Sequence, residues 1–304
     1  MNGLILIDKP KDFTSFDVVA VMRKLSGQKK AGHTGTLDPN ATGVLPILLG
    51  SATKAQDLIV NHDKTYVADF KLGITTDTLD IWGNVTADFD TKADFGSVKK
   101  ALLHFEGEIE QIPPMFSAVQ KDGKRLYDLA RQGIEVERES RKVTVYGITL
   151  LDFDESTQSG SFEISCSKGT YVRTVIDDMG RLLKTGAIMT DLRRTQACGF
   201  SVDECISLDE AKRLAETGRL ESALHSVESL FDTYNIIKIS QAQSKRFSNG
   251  GALDLNRTVL KNQNVRDKTI FRVSDNNGGF IGLGITDAEN RLLKIYKLFD
   301  IGRR

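Results

Sequence analysis

Gly32-His33-Thr34-Gly35-Thr36-Leu37-Asp38-Pro39-Asn40-Ala41-Thr42-Gly43-Val44-Leu45-Pro46 joins a glycine-punctuated loop to an apolar run. Three glycines and Pro39 within a dozen residues favour unusual backbone angles and leave room for something to approach closely. A single carboxylate, Asp38, stands in the middle with Leu37 and Pro39 as neighbours. For a lone Asp-Pro the plain alternative is a turn aspartate. A phosphate-binding loop is excluded, because no G-x-x-x-x-G-K-[ST] occurs and no lysine directly follows the last glycine. The apolar continuation, Val44-Leu45-Pro46-Ile47-Leu48-Leu49, predicts a loop leading into a buried element.

Upstream, residues 3–8 read as a short strand that Lys9-Pro10 ends. Ser15 is the expected N-cap of a helix over 16–25, with Val18, Val19, Met22 and Leu25 on one face and Gly27 at its stop. Downstream, residues 66–72 alternate as a strand that sets Tyr66, Ala68 and Phe70 on one side. A helix is expected over 95–105, and Ile112-Pro113-Pro114 breaks the pattern after it. Residues 120–142 are dense in charge of both signs, with a short helix near Leu126, Tyr127, Leu129 and Ala130. Strands follow over 143–153 and 161–166, then a helix over 174–183. Ser207-Leu208-Asp209-Glu210 matches a capping box and opens a helix running to about 216. After Asp232 the texture changes to short strands punctuated by Gly and Asn, which predicts a small β domain beginning near 235.

With 304 residues, 40% of them hydrophobic and 27% charged, the chain has the make-up of a folded globular protein rather than a disordered one. No apolar run approaches the roughly 20 residues that span a bilayer. Asp8 cuts short the apolar N-terminal stretch, so a signal peptide is not expected. Cys166, Cys198 and Cys205 are odd in number and form no C-x-x-C pair, which points to a reducing, cytoplasmic compartment. The histidines, His33, His62, His104 and His225, lack the spacing of a zinc or iron site, so chemistry without a metal is expected. Net charge is zero but unevenly spread: residues 236–304 hold 13 Lys/Arg against 6 Asp/Glu. A basic appendage on an acidic body suits contact with a polyanion, though an ordinary basic C-terminal domain reads the same way.

The segment around Asp38 resembles the catalytic loop of the bacterial TruB family, the tRNA pseudouridine-55 synthases. Further resemblances run in the same order along roughly 3–200. Lys9-Pro10-Lys11-Asp12-Phe13-Thr14-Ser15 resembles the family's K-P-x-G-x-T-S, Lys64-Thr65-Tyr66 its K-x-Y, and Thr76-Asp77-Thr78-Leu79-Asp80 its T-D-T-x-D. Gln111-Ile112-Pro113-Pro114-Met115-Phe116-Ser117-Ala118 resembles Q-x-P-P-x-Y/F-S-A; Gly169-Thr170-Tyr171-Val172-Arg173 resembles G-T-Y-x-R, and Leu192-Arg193-Arg194 resembles L-R-R. Asp12 departs from the pattern, standing where the family usually has Gly, and Gln120 stands where a Lys is common.

The resemblance implies an α+β pseudouridine synthase fold with a mixed, largely antiparallel sheet flanked by helices. It divides the chain into a catalytic domain over 1–234, with an RNA-binding thumb at about 111–142, and a small PUA-like β domain over 235–304. Asp38 is then the catalytic nucleophile, Arg173 the guanidinium that keeps it ionised, and Tyr66 the ring that stacks on the displaced uracil and whose hydroxyl assists loss of the C5 proton. Tyr171 and Leu192 line the base pocket, and His33 fills the space the flipped base leaves. The implied enzyme needs no cofactor, takes the T-arm of tRNA, and works as a monomer without guide RNA or membrane. A catalytically idle RNA-binding module on the same scaffold, or a synthase for another uridine, are the rivals.

Overall fold

The computed structural model describes residues 1–299; the last five positions of the expected 235–304 segment lie outside the described residues. A ten-stranded sheet runs in the order Ile206–Ser207, Gly3–Lys9, Thr42–Leu49, Ala187–Ala197, Lys64–Leu72, Ser159–Cys166, Arg141–Asp154, Gly107–Gln111. Ala31–His33 and Phe200–Ser201 add short partners to Thr42–Leu49 and Ala187–Ala197. Two contacts in it are parallel, between Gly3–Lys9 and Ile206–Ser207 and between Ala187–Ala197 and Thr42–Leu49; the others are antiparallel. The sheet is therefore mixed and largely antiparallel, as expected.

Helices cover the sheet in two groups. Phe95–Leu103 and Val172–Leu183 pack with Phe70, Phe162, Ile164 and Met189 into one apolar cluster. Helix Ser15–Ser26 and helix Leu208–Glu216 cover the other half, where Val18, Val19, Met22 and Leu208 meet Ile5, Ile7, Leu45 and Ile47. The first helix starts one residue earlier than its pattern suggests. Thr14, rather than Ser15, caps it, because Thr14 and Asp17 form a reciprocal capping box and leave Ser15 free to turn inward. Gly27 ends it at φ 65°, the left-handed stop that its position implied. At Ser207 only half of the expected box forms: the serine caps the Glu210 amide, while the Glu210 carboxylate pairs with Arg213 instead.

Strand Ala187–Ala197 was invisible to alternation and proves central. Its middle, Thr190-Asp191-Leu192-Arg193-Arg194, reads as polar surface. Yet Arg194 is wholly buried because the backbone carbonyls of Gly35 and Thr36 in a neighbouring loop, and of Val44 in strand Thr42–Leu49, solvate its guanidinium. Asp12 adopts φ 64°, so the carboxylate residue accepts the left-handed turn at which the resembling family places Gly.

A second sheet of five strands, ordered Ile236–Lys238, Ile270–Ser274, Phe280–Asp287, Leu292–Leu298, Leu253–Asp254, builds the C-terminal part. It has its own core around Phe247, Phe271 and Val273. Phe280, Leu283 and Phe299 instead join Leu4, Leu6, Val44 and Phe231 in a cluster shared with the large sheet. Among the described residues no helix is long and apolar enough to cross a membrane.

Candidate active site

Residues 34–41 belong to no sheet ladder, so their backbone polar groups need partners from elsewhere. Side chains from three distant segments supply them. Ser15 accepts from the Leu37 amide at 2.8 Å and donates to the Leu37 carbonyl at 3.1 Å. The fully buried Lys9 ammonium donates to the Pro39 carbonyl at 2.8 Å. Arg194 donates to the carbonyls of Val44, Thr36 and Gly35 at 2.8, 3.3 and 3.1 Å. Within the loop, the Ala41 amide closes a turn on the Asp38 carbonyl at 3.1 Å. These bonds make an irregular loop a rigid mount for Asp38.

Gly43 explains the glycine next door. Its φ is +105°, and a Cβ there would lie 2.1 Å from the Arg194 carbonyl oxygen. Only glycine permits the close approach of Thr42–Leu49 to the strand bearing Arg194.

Asp38 Oδ2 lies 3.0 Å from Arg173 Nη2. Arg173 enters from the second residue of helix Val172–Leu183 and is only 4% exposed. Its guanidinium also donates to the Thr78 carbonyl at 3.1 Å and the Phe116 carbonyl at 3.0 Å, and lies 3.4 Å from Asp80 Oδ2. A guanidinium can engage one carboxylate through both nitrogens of its planar fork. The fork is instead shared: one nitrogen faces Asp38 and the other Asp80. Two carboxylates around one guanidinium explain how a buried arginine is satisfied while an oxygen of Asp38 stays available. The Asp38 side chain is 42% exposed, so its carboxylate is open to an incoming group.

Asp80 is itself held by Thr78 Oγ1 at 2.6 Å and the Trp82 amide at 3.2 Å, both on Oδ1. Burial nevertheless pushes its carboxyl above the usual range, against the hydrogen bond from Thr78 and the charge of Arg173. Burial also lowers the Lys9 ammonium to about 8, the nearby Asp38 charge opposing it.

Tyr66 and Leu192 fall in the same apolar cluster as Leu37 and Val172, the residues beside Asp38 and Arg173. Tyr66 sits opposite Arg194 and Leu192 opposite Ala68 in the antiparallel pairing of their strands. Burial pushes the Tyr66 hydroxyl up, and the Arg194 charge partly offsets this. His33 ends strand Ala31–His33; burial and Arg194 lower its imidazole, which favours the neutral ring. Its Nδ1 is buried with no hydrogen-bond partner in the protein. Tyr171 is half-buried, and its backbone is clamped on both sides by the Gln111 side-chain amide, at 2.7 and 3.0 Å.

Five of the six candidate residues are thus tied to one locality, around either Asp38–Arg173 or Arg194; Tyr171 adjoins through its place two residues before Arg173. Lys9, Ser15, Asp80 and Arg194 had no assigned part in the sequence reading. The signal for them was their place inside matched motifs, but nothing local shows that a lysine or arginine points inward.

The TruB family pseudouridylate synthase N-terminal domain matches residues 23–172, and the tRNA pseudouridylate synthase B C-terminal domain matches residues 173–232. The chain is 42% identical over 299 residues to the tRNA pseudouridine synthase B of Clostridium perfringens, covering 98% of this chain and 99% of that protein. It is 38% identical over 298 residues to the protein of the same name in Clostridioides difficile, covering 97% and 98%. Among solved structures, a Cbf5-Nop10-Gar1 complex contains a chain 25% identical with TM-score 0.71, covering 98% of this chain and 84% of that one.

Proposed function

The chain belongs to the TruB family of pseudouridylate synthases, and on that premise we propose that it converts uridine 55 in the T-arm of tRNA to pseudouridine, with Asp38 as nucleophile. The observation that carries the reading is the Asp38 carboxylate, half open to solvent, 3.0 Å from a buried guanidinium on a side-chain-braced loop.

The reaction breaks the bond from ribose C1′ to uracil N1 and makes one from C1′ to C5. The C5 proton leaves and N1 gains one, so atoms balance without oxidant, water or cofactor. An ionised carboxylate serves either covalent route, at C1′ or on the ring, and Arg173 Nη2 holds Asp38 Oδ2 at 3.0 Å. Tyr66 offers its ring as a stacking surface, and its hydroxyl, kept protonated by burial, acts as a neutral relay for the C5 proton. Leu192 and Tyr171 shape the pocket around the base. His33, neutral and beside the loop, suits packing against unstacked bases better than pairing with phosphate.

RNA reaches the site through two further regions. In the thumb, about 111–142, Arg125 and Arg131 flank the Tyr127 ring at 5.8 and 5.5 Å, a basic and aromatic cluster outside the core. In the PUA-like part, 235–304, Lys245, Arg246 and Lys268 are exposed. Phe247 and Phe271 are buried in that domain's core, so the cations carry the contact there. On this reading the protein acts as a monomer in the cytoplasm without guide RNA.

Purified protein incubated with unmodified tRNA should yield pseudouridine at position 55 alone. Asp38→Asn should lower the rate by more than about a thousandfold while tRNA still binds. Undiminished turnover by that variant would remove Asp38 from the mechanism. Wild-type protein that binds tRNA yet leaves every uridine intact would favour the idle module.

A further inference from the structure

The strands Thr42–Leu49 and Ala187–Ala197 pair at only two positions, Thr42 with Arg193 and Gly43 with Arg194. Beyond them the strands part, and residues 79–81 take up pairing with Ala187–Ala197: the Met189 amide donates to the Leu79 carbonyl at 3.1 Å, and the Ile81 amide to the Met189 carbonyl at 2.9 Å. Trp82, the chain's only tryptophan, follows directly and is 43% exposed. Its amide donates to Asp80 Oδ1 at 3.2 Å, and Asp80 Oδ2 faces the same guanidinium as Asp38. The half-exposed Lys11 ammonium lies 5.3 Å from the indole centroid and 3.9 Å from Asp191 Oδ1. A large exposed aromatic surface and a cation therefore adjoin two residues from Asp80, which shares the Arg173 guanidinium with Asp38.

We propose that Trp82 and Lys11 form a platform for the RNA flanking the target uridine: the indole stacks on a neighbouring unpaired base, and the Lys11 ammonium takes a backbone phosphate. The proposal rests on the synthase reading of the site and adds a determinant of RNA selection to it. When a base leaves the stack, its neighbours lose a face each, and an aromatic ring nearby replaces that partner. Aromatic surface with a cation beside it is the combination by which proteins hold unpaired RNA. Asp191 moderates Lys11 without neutralising its exposure, since the two charges are 3.9 Å apart. Because the Trp82 amide and Arg173 engage opposite oxygens of Asp80, RNA that orders Trp82 also steadies the carboxylate behind Arg173.

A single tryptophan makes the test direct. Full-length Asp38→Asn protein, which binds without turnover, is titrated with a T-arm stem-loop while indole fluorescence is followed. Saturable quenching is expected, at RNA concentrations matching binding measured separately. In steady state with the Asp38 wild type, Trp82→Ala should lower kcat/KM by about tenfold to a hundredfold, mainly through KM, and Trp82→Phe should restore most of it. Lys11→Ala should reduce the salt slope of binding by about one. RNA binding that leaves the fluorescence unchanged, or a Trp82→Ala variant with wild-type kcat/KM, overturns the platform while leaving the enzyme intact. Failure of the wild type to make pseudouridine at all would sink the synthase reading, and the platform with it.

Discussion

At the scale of single residues, Arg173 and Lys9 do similar work by different chemistry. Arg173 binds two carbonyls and two carboxylates, so it fixes Asp38 relative to residues 78–80, Phe116 and its own helix. A lysine keeps the charge but not the fork. Arg173→Lys is therefore expected to lower kcat/KM by about a hundredfold or more, since a displaced reacting group is costly. Steady-state kinetics within twofold of wild type would deny the guanidinium its positioning role, roughly the limit of what such geometry tolerates. Lys9 offers a pH signature. Its folded value of about 8 lies below the ordinary 10.5 of an unfolded chain, so between them the unfolded state holds more protons. Stability should then rise with pH through that window and be penalised below it. Urea titrations across the window should show this slope in the wild type and not in Lys9→Met. Parallel curves would mean the ammonium suffers no burial cost.

At the scale of elements, the paired strands around Gly43 and Arg194 decide where the loop sits. Gly43→Ala pushes a methyl against the Arg194 carbonyl at a backbone angle that disfavours side chains. The variant should lose about 3 kcal/mol or more. A thermal midpoint within about 2 °C of wild type would show that the strands yield more easily than their spacing implies. Much of this level was legible from pattern alone. Alternation set Tyr66, Ala68 and Phe70 on the buried side of Lys64–Leu72, and Gly27 ended the first helix. What pattern missed was Ala187–Ala197, because its inward arginine is hydrated by backbone carbonyls rather than by water. A hydrophobicity pattern assigns such a residue to the surface.

At the scale of the whole molecule, an overall charge of zero conceals a basic C-terminal segment on an acidic body. If phosphate contacts by that segment hold tRNA, binding should weaken steeply with salt. Lys245→Glu with Lys268→Glu, both at exposed positions, should lower affinity about tenfold and reduce the log–log salt slope by about two, with kcat unchanged. A slope that ignores both substitutions would assign the contact elsewhere. Charge reversal is a cleaner probe than truncation, because Phe280, Leu283 and Phe299 pack against Leu4, Leu6 and Val44 of the large sheet. Removing residues 236–304 would expose that shared core and confuse lost affinity with lost stability.

The linear order of residues by itself determined the family, through motifs shared in order, and that resemblance named the carboxylate, arginine and tyrosine of the candidate site; turn chemistry and apolar periodicity, which are local properties, determined most of the long helices and strands. Only the tertiary structure decided that one guanidinium serves Asp38 and Asp80 together, and that Lys9, Ser15 and Arg194 brace the loop. Buried charges are chosen by what surrounds them in space, and those surroundings come from segments up to about half the chain apart in sequence.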